Sequence, residues 1–288
     1  MTYNVHACIG MDGRLSPRRI ARVIAQADAD IVALQELDVG RSRTGGRDQA
    51  HEIARYLRME HHFHAAFEIA EERYGDAVLS RFPLSVVQTF ALPSAKANYE
   101  PRGAQWLELS SAQFGPVQIL NTHLSIIPRE RLLQAQALVA ELVGPASLRG
   151  PTVLCGDFNA IPGSPTYRTL ESRLIDAPHA WCTSARQRIN SDGSRAVSLG
   201  PARGQPQPAS TGAAGTDELS QAANRANRQP GKQRRATRTW FSPFPLARID
   251  HVFVTPEWHV DQTMVIQSQL ARAASDHLPL VVDLYLPR

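Results

Sequence analysis

The run Thr152-Val153-Leu154-Cys155-Gly156-Asp157-Phe158-Asn159-Ala160 places the strictest limit on how this chain can fold. Four strand-forming residues follow a proline and are bounded by glycine, which reads as a short buried strand that stops at a carboxylate and an amide. An unpaired carboxylate in an apolar setting is costly to ionise, so Asp157 needs a cation, a donor or a reaction. Asn159, two residues on, points the same way along an extended chain, so one strand end offers an acid and an amide to one ligand. Taken alone, the string also fits a turn in which Asp and Asn bond their own backbone.

The pattern recurs. Tyr3-Asn4-Val5-His6 reads as the tail of a short first strand, and Ile31 to Leu34 closes on Gln35-Glu36. Val117 to Leu120 closes on Asn121-Thr122-His123, a strand from Arg248 to Val254 begins with Asp250, and Ser275-Asp276-His277 leads into the strand Leu278 to Leu286. Each polar residue has an ordinary explanation by itself. Nine of them at the ends of apolar strands (Asn4, Glu36, Asn121, His123, Asp157, Asn159, Asp250, Asp276 and His277) would each need a separate buried partner, which points to a common site.

Between these strands, Ser16-Pro17 caps a helix whose Ile20, Val23, Ile24 and Ala27 share a face. Further helices are expected over about Gln49 to Leu57 and Pro128 to Val143, the latter with Leu132, Leu133, Ala137, Leu138 and Leu142 as its apolar residues, and after Ser164-Pro165. His62 to Phe67, Asp76 to Leu79 and Leu84 to Leu92 read as strands, and Ala104 to Leu109 with Val117 to Leu120 as a hairpin. Strands outnumber helices and several are neighbours in sequence, so the expected class is a layered α/β (α+β) sandwich and not an alternating parallel sheet.

Hydrophobic content of 43% and charged content of 20% over 288 residues fit a soluble chain with a sizeable core. No apolar run approaches the roughly 20 residues of a membrane span. Cys8, Cys155 and Cys182 are too scattered for a disulfide framework or a zinc ribbon. With no basic-then-apolar leader at the start, a cytoplasmic location is expected. From about 184 to 238 the pattern lapses into Gly, Pro, Ser, Gln and Arg, expected to be a disordered basic insertion in a single domain spanning 1–288. That stretch holds ten Lys and Arg against three acids, leaving 21 basic and 24 acidic residues elsewhere. The net charge of +4 therefore says little about an active-site groove.

Carboxylates and amides without a Cys ligand are hard oxygen donors, which suits Mg²⁺ or Mn²⁺ better than Zn²⁺. Magnesium so held usually serves a substrate phosphate. Two histidines and a further acid supply a base for a water and donors to phosphoryl oxygens. No Gly-rich phosphate loop or Ser-nucleophile elbow is present, so water is the expected nucleophile.

In order along the chain, Tyr-Asn-Val-His at 3–6, Leu-Gln-Glu at 34–36, Asn-Thr-His-Leu at 121–124, Gly-Asp-Phe-Asn at 156–159, Arg-Ile-Asp-His at 248–251 and Ser-Asp-His at 275–277 resemble the motifs of the endonuclease/exonuclease/phosphatase superfamily. That superfamily includes pancreatic-type deoxyribonuclease, apurinic endonucleases, neutral sphingomyelinases and inositol polyphosphate phosphatases. The resemblance implies a four-layered sandwich of two mixed sheets flanked by helices, deoxyribonuclease-I-like, and divalent-metal-dependent cleavage of phosphoester bonds, foremost as a phosphodiesterase. By motif position Asn4, Glu36 and Asp276 surround the metal, Mg²⁺ or Mn²⁺. Asp157 and Asn159 position the water and the scissile phosphate. Asp250 orients His277, while His123 and Asn121 bind phosphoryl oxygens.

The Arg41 to Arg47 loop, Tyr74-Gly75-Asp76, Arg102-Gly103 and Arg131 look like the bacterial branch of the superfamily, and Arg41, Arg43 and Arg102 are candidate substrate contacts. The implied substrate is a nucleic acid or a lipid or other small phosphodiester, acted on by a monomer. A lipid substrate predicts an exposed apolar loop, and none stands out. The competing class is a non-catalytic phosphate-binding or interaction protein that keeps the fold, favoured if the short first strand frays and displaces Asn4.

Overall fold

The computed structural model describes residues 1–111, 114–143, 150–183 and 237–287. Its strands are β1 (Thr2–Asn4), β2 (Ile31–Val39), β3 (Glu60–Ile69), β4 (Glu72–Ser80), β5 (Leu84–Ala91), β6 (Gly103–Ser111), β7 (Gly115–His123), β8 (Thr152–Asp157), β9 (Ile175–Asp176), β10 (Asp250–Val254), β11 (His259–Val265) and β12 (Leu280–Tyr285). Its helices are α1 (Pro17–Ala27), α2 (Gln49–Leu57), α3 (Pro128–Val143), α4 (Pro165–Glu171) and α5 (Gln269–Ala274). The expected insertion at about 184–238 lies almost wholly outside the described residues.

Strand periodicity explains the layering. Side chains alternate faces, so a strand apolar on both must be covered twice. In β8, Leu154 faces the helices of its own sheet, while Val153 and Cys155 face the other sheet. One six-stranded sheet runs β11-β12-β1-β2-β4-β3 and the other β5-β6-β7-β8-β10-β9. Both are mixed: β1–β2 and β7–β8 are parallel, and the remaining pairs are antiparallel.

Ile20, Val23 and Ile24 of α1, Ile53 of α2 and Ala271 of α5 cover the first sheet on Tyr3, Val32 and Leu34. Leu138 and Leu142 of α3 and Leu170 of α4 cover the second on Trp106, Leu120 and Phe253. Between the sheets, Ala33, Val78 and Leu280 meet Leu107, Ile119 and Val252. The result is the expected four-layered sandwich.

Local chemistry fixes the helix starts: Ser16 Oγ accepts from Arg19 N and Ser164 Oγ from Tyr167 N, each just before a first-turn proline. In α3 the buried stripe is Ala135, Leu138 and Leu142, spaced by three and four residues, and Leu133 is exposed. Strand β2 outruns the expected Ile31 to Leu34 because a bulge between Leu34 and Leu37 lets pairing resume as far as Val39. Strand β11 and helix α5, which periodicity did not predict, complete the first sheet. Among the described residues no helix is long and apolar enough to cross a membrane.

The parallel pairs matter most for chemistry. They bring the C-terminal ends of β1, β2, β7 and β8 to one edge of the sandwich, and antiparallel β10 begins there, with Asp250 opposite Asp157.

Candidate active site

Asn4 stands at the end of β1, fully buried and paired with Gln35 of β2, in a strand whose Thr2 pairs with Leu280 of β12. Its Nδ2 donates to Glu36 Oε1 at 2.9 Å and to Asp157 Oδ2 at 3.0 Å, so one amide ties the two sheets' carboxylates together. Its Oδ1 accepts from His6 N at 3.1 Å. Glu36 sits in the β2 bulge with φ of +61°, a conformation rare for a side-chain-bearing residue; the bulge re-aims a carboxylate that regular pairing would direct elsewhere.

On the second sheet, Asp157 Oδ1 accepts from Asn159 N at 2.9 Å, with Asn159 itself at φ of +48°. Asn159 Nδ2 donates to Leu124 O at 2.9 Å and lies 3.1 Å from His123 Nε2. The glycine before Asp157 is required: at φ of +148°, a Cβ on Gly156 would stand 1.9 Å from Thr122 O. That contact lets β7 and β8 approach closely enough to set His123 Nε2 3.5 Å from Asp157 Oδ2.

His277 Nδ1 meets Asp250 Oδ2 at 2.9 Å, and its Nε2 lies 3.6 Å from Asp157 Oδ2. A carboxylate only accepts, so Nδ1 carries a proton and Nε2 faces the cluster. Arg248 steadies the start of β10 through a buried ion pair with Asp176 at 2.7 Å, an acid that also accepts from Tyr167 Oη at 2.8 Å.

Burial disfavours the charged form of both histidines, and the neighbouring charges then send them in opposite directions. Burial alone would lower the His277 pKa, but the Asp250 and Asp157 charges outweigh it and raise the imidazole to about 10, so it is a cation at neutral pH. His123 is pushed well below its ordinary value by burial, then by the Arg102 and His277 charges. Its Nδ1 lies 3.0 Å from Arg102 Nη1, which can only donate, so Nδ1 accepts and the ring's single proton stands on Nε2. Burial pushes the Asp157 carboxyl up despite the nearby imidazolium.

Asp76, to which motif position assigns no role, is buried in β4 and accepts from Glu36 N at 3.4 Å. Burial raises it to about 7, against the opposing charge of Arg102. Its signal in the sequence was an acid inside an apolar strand, next to a glycine whose added Cβ would lie 2.0 Å from His64 O.

This donor set fits a hard divalent cation. Ligand atoms of Glu36, His123 and Asp157 all lie within 4.8 Å of one another, as do those of Asp157, Asp250 and His277. Carboxyls raised by burial are the groups a cation would relieve, and oxygens dominate. Asp276 belongs to neither group; it is half-buried beside Ser275, whose Oγ lies 3.4 Å from its Oδ1.

Asn121 stands apart from this cluster. Its side chain lies fully buried between the sheets, donating to Leu34 O at 3.1 Å and Ala77 O at 2.9 Å and accepting from Gln35 Nε2 at 2.7 Å. Both N–H groups are used, so none remains for a phosphoryl oxygen.

Arg102 is buried behind His123, 3.3 Å from Glu100. Arg41 and Arg43 line a cavity of about 620 Å³ that opens beside Glu36. The exposed apolar loop that the sequence did not offer exists as well: Phe244 and Leu246 stand in solvent, six and four residues before the start of β10, and Trp240 forms a β-bridge with His277.

The description "Endonuclease/Exonuclease/phosphatase family" belongs to the family model that matches residues 1–277. Protein angel homolog 2 of Danio rerio is 42% identical over 65 residues, 20% of this chain and 11% of that protein, so the chain matches only a small part of that relative. A functionally unknown conserved protein from Enterococcus faecalis V583 superposes with a TM-score of 0.66 at 20% identity, covering 99% of this chain and 98% of that one. A mannosyl-6-phosphatase from Bacteroides thetaiotaomicron VPI-5482 gives 0.64 at 19% identity, covering 99% and 98%.

Proposed function

The chain belongs to the endonuclease/exonuclease/phosphatase family, and from that premise we propose that it is a divalent-metal-dependent phosphoester hydrolase in which Asp157 activates the attacking water. The observation that carries this is the Asn4 amide bridging Glu36 and Asp157, with His277 and His123 on either side of the same carboxylate.

Glu36, its carboxylate fixed by the Asn4 amide, would hold Mg²⁺ or Mn²⁺, with Asp276 next to His277 in sequence, and the ion when bound supplies charge neutralisation at the phosphoryl group. Asp157, its basicity raised by burial, takes the water's proton at Oδ2. Asn159 fixes the carboxylate through its backbone N–H. His277, kept cationic by Asp250, donates from Nε2 to a phosphoryl oxygen as negative charge grows there. Neutral His123, pinned by Arg102, offers a second contact that adds no charge. Diesters were the expected substrates from the motifs; the cluster itself accommodates transfer from either ester.

The test is metal-dependent release from a chromogenic phosphodiester and its matching monoester, with chelator as control. Asp157→Asn and His277→Ala should each lower turnover at least about a hundredfold, the usual contribution of a proton-transfer group, while the fold persists. Wild-type rates in either variant, with normal unfolding, would remove that residue from the mechanism. Phosphate binding without turnover in the wild type would favour the non-catalytic alternative.

A further inference from the structure

The cavity beside Glu36 is walled by Phe67, Tyr74, Tyr99, Arg41, Arg43 and Glu100. A phosphoryl group seated between Glu36 and Asp157 would place its leaving group there. The chamber's charge is already balanced. Arg43 grips Asp38 with two contacts of 2.7 Å, and Arg41 lies 3.8 Å from Asp38 and 3.5 Å from Glu72. Glu100 is matched by Arg102 at 3.3 Å, and Glu36 adds a further acid. Glu36 and Glu100 thus line the chamber together with Arg41 and Arg43, whose charges Asp38 and Glu72 already engage, and the flanking phosphates of a polynucleotide would find no excess of positive charge there.

What the walls do offer is a mixture: guanidinium donors, carboxylate acceptors, tyrosine hydroxyls and ring faces. The Arg41 guanidinium lies 5.9 Å from the Phe67 centroid and that of Arg43 5.6 Å from the Tyr74 centroid, so charged groups and rings are interleaved and not segregated. Hydroxyls both donate and accept, and a ring bearing several of them is the ligand that uses both kinds of partner at once. Its C–H face can rest on an aromatic ring. The volume of about 620 Å³ falls within the span of small-molecule sites.

We infer that this cavity seats the polyhydroxylated leaving group of a small phosphoester, a phosphorylated monosaccharide, in preference to a nucleotide chain; the inference rests on the hydrolase function proposed above. With a monoester, the water oxygen bonds to phosphorus as the bond from phosphorus to the sugar oxygen breaks. One water proton ends on the departing oxygen, and the products are the free sugar and hydrogen phosphate.

The test compares kcat/KM of the full chain in Mg²⁺ or Mn²⁺ for a panel of hexose and pentose phosphates, p-nitrophenyl phosphate, a nucleoside 5′-monophosphate and a single-stranded oligodeoxynucleotide. The expected result is a best sugar ester exceeding every other class by at least roughly tenfold, the scale that a few polar contacts can discriminate. Tyr99→Ala, checked for unchanged thermal unfolding, should lower that sugar-ester value about tenfold more than it lowers the p-nitrophenyl one. If the aryl ester, the nucleotide or the oligonucleotide equals or exceeds the best sugar ester, and His277→Ala abolishes that activity, the leaving-group assignment falls and the hydrolase stands. If no ester is cleaved in either metal, the hydrolase proposal falls and this inference with it.

Discussion

Replacing Asn121 with alanine should destabilise the protein without touching its chemistry. The wild-type amide makes three hydrogen bonds across the sandwich, to Leu34 O, Ala77 O and Gln35 Nε2. Alanine leaves two buried carbonyls without that donor and Gln35 with only Thr2 Oγ1, 3.2 Å away. A buried polar group left unsatisfied costs about 1–3 kcal/mol, and the lower end applies because Leu34 and Ala77 also face each other in the β2–β4 ladder. Three such losses come to about 3 kcal/mol, which for a domain of this size lowers the unfolding midpoint by roughly 6–12 °C.

Asn121→Asp should be worse, since at neutral pH it sets a carboxylate against two carbonyl oxygens that can only accept. The assay pairs thermal unfolding with phosphoester hydrolysis at a temperature where the variant is folded. An unchanged midpoint with hydrolysis reduced a hundredfold would refute the reasoning, because it would make Asn121 a substrate ligand after all.

Gly156→Ala should disrupt both stability and turnover, because a Cβ 1.9 Å from Thr122 O forces apart the two strands that carry His123 and Asp157; overpacking of this kind costs about 1–3 kcal/mol or more. His251, buried with its Nε2 2.7 Å from Ala160 O, has its pKa lowered by burial to about 4. The unfolded chain therefore takes up that proton first, so this contribution is intact above pH 6.5 and is lost as pH falls toward 4. The loss amounts to about 3 kcal/mol, and urea unfolding across that range should show a shallower slope in His251→Gln. Divalent cation at about a hundred times its dissociation constant should add about 2.7 kcal/mol, a rise of roughly 5–10 °C that Glu36→Gln abolishes; a midpoint indifferent to Mg²⁺ and Mn²⁺ would remove the metal from the proposal.

How much of this was written locally differs from residue to residue. The Gly-Asp-Phe-Asn strand end, the caps at Ser16 and Ser164 and the bounds of α2 and α3 follow from short-range rules and stand where the pattern puts them. Asn121 and His123 share a face of β7 by strand alternation, whereas Asn159 lies past the end of β8 at φ of +48° and meets Asp157 through a turn instead of the expected extended chain. Depth was invisible to that rule: two residues along a strand is about 7 Å, enough to move a side chain from the open edge into the space between sheets.

Other features depend on partners far away in sequence. The bulge at Glu36 exists because β4 pairs on both sides of it, and Asp76 enters the site only through that pairing. Strand β11 carries His259, Asp261 and Gln262 among its apolar residues, as an edge strand can, and so hides from periodicity. Arg102 touches His123 because β6 and β7 are neighbours, a relation no local motif states.

The order β11-β12-β1-β2 places the last strand of the chain beside the first, joined where Thr2 faces Leu280. His277 and Asp276 lie just ahead of that last strand, and Asn4 ends the first. A chain growing from a ribosome therefore carries Asn4 and Glu36 long before it has His277, and it cannot assemble the site until β12 has been synthesised. Translation itself acts as the safety catch, since every shorter nascent chain lacks the cation that Asp250 and Asp157 are placed to hold.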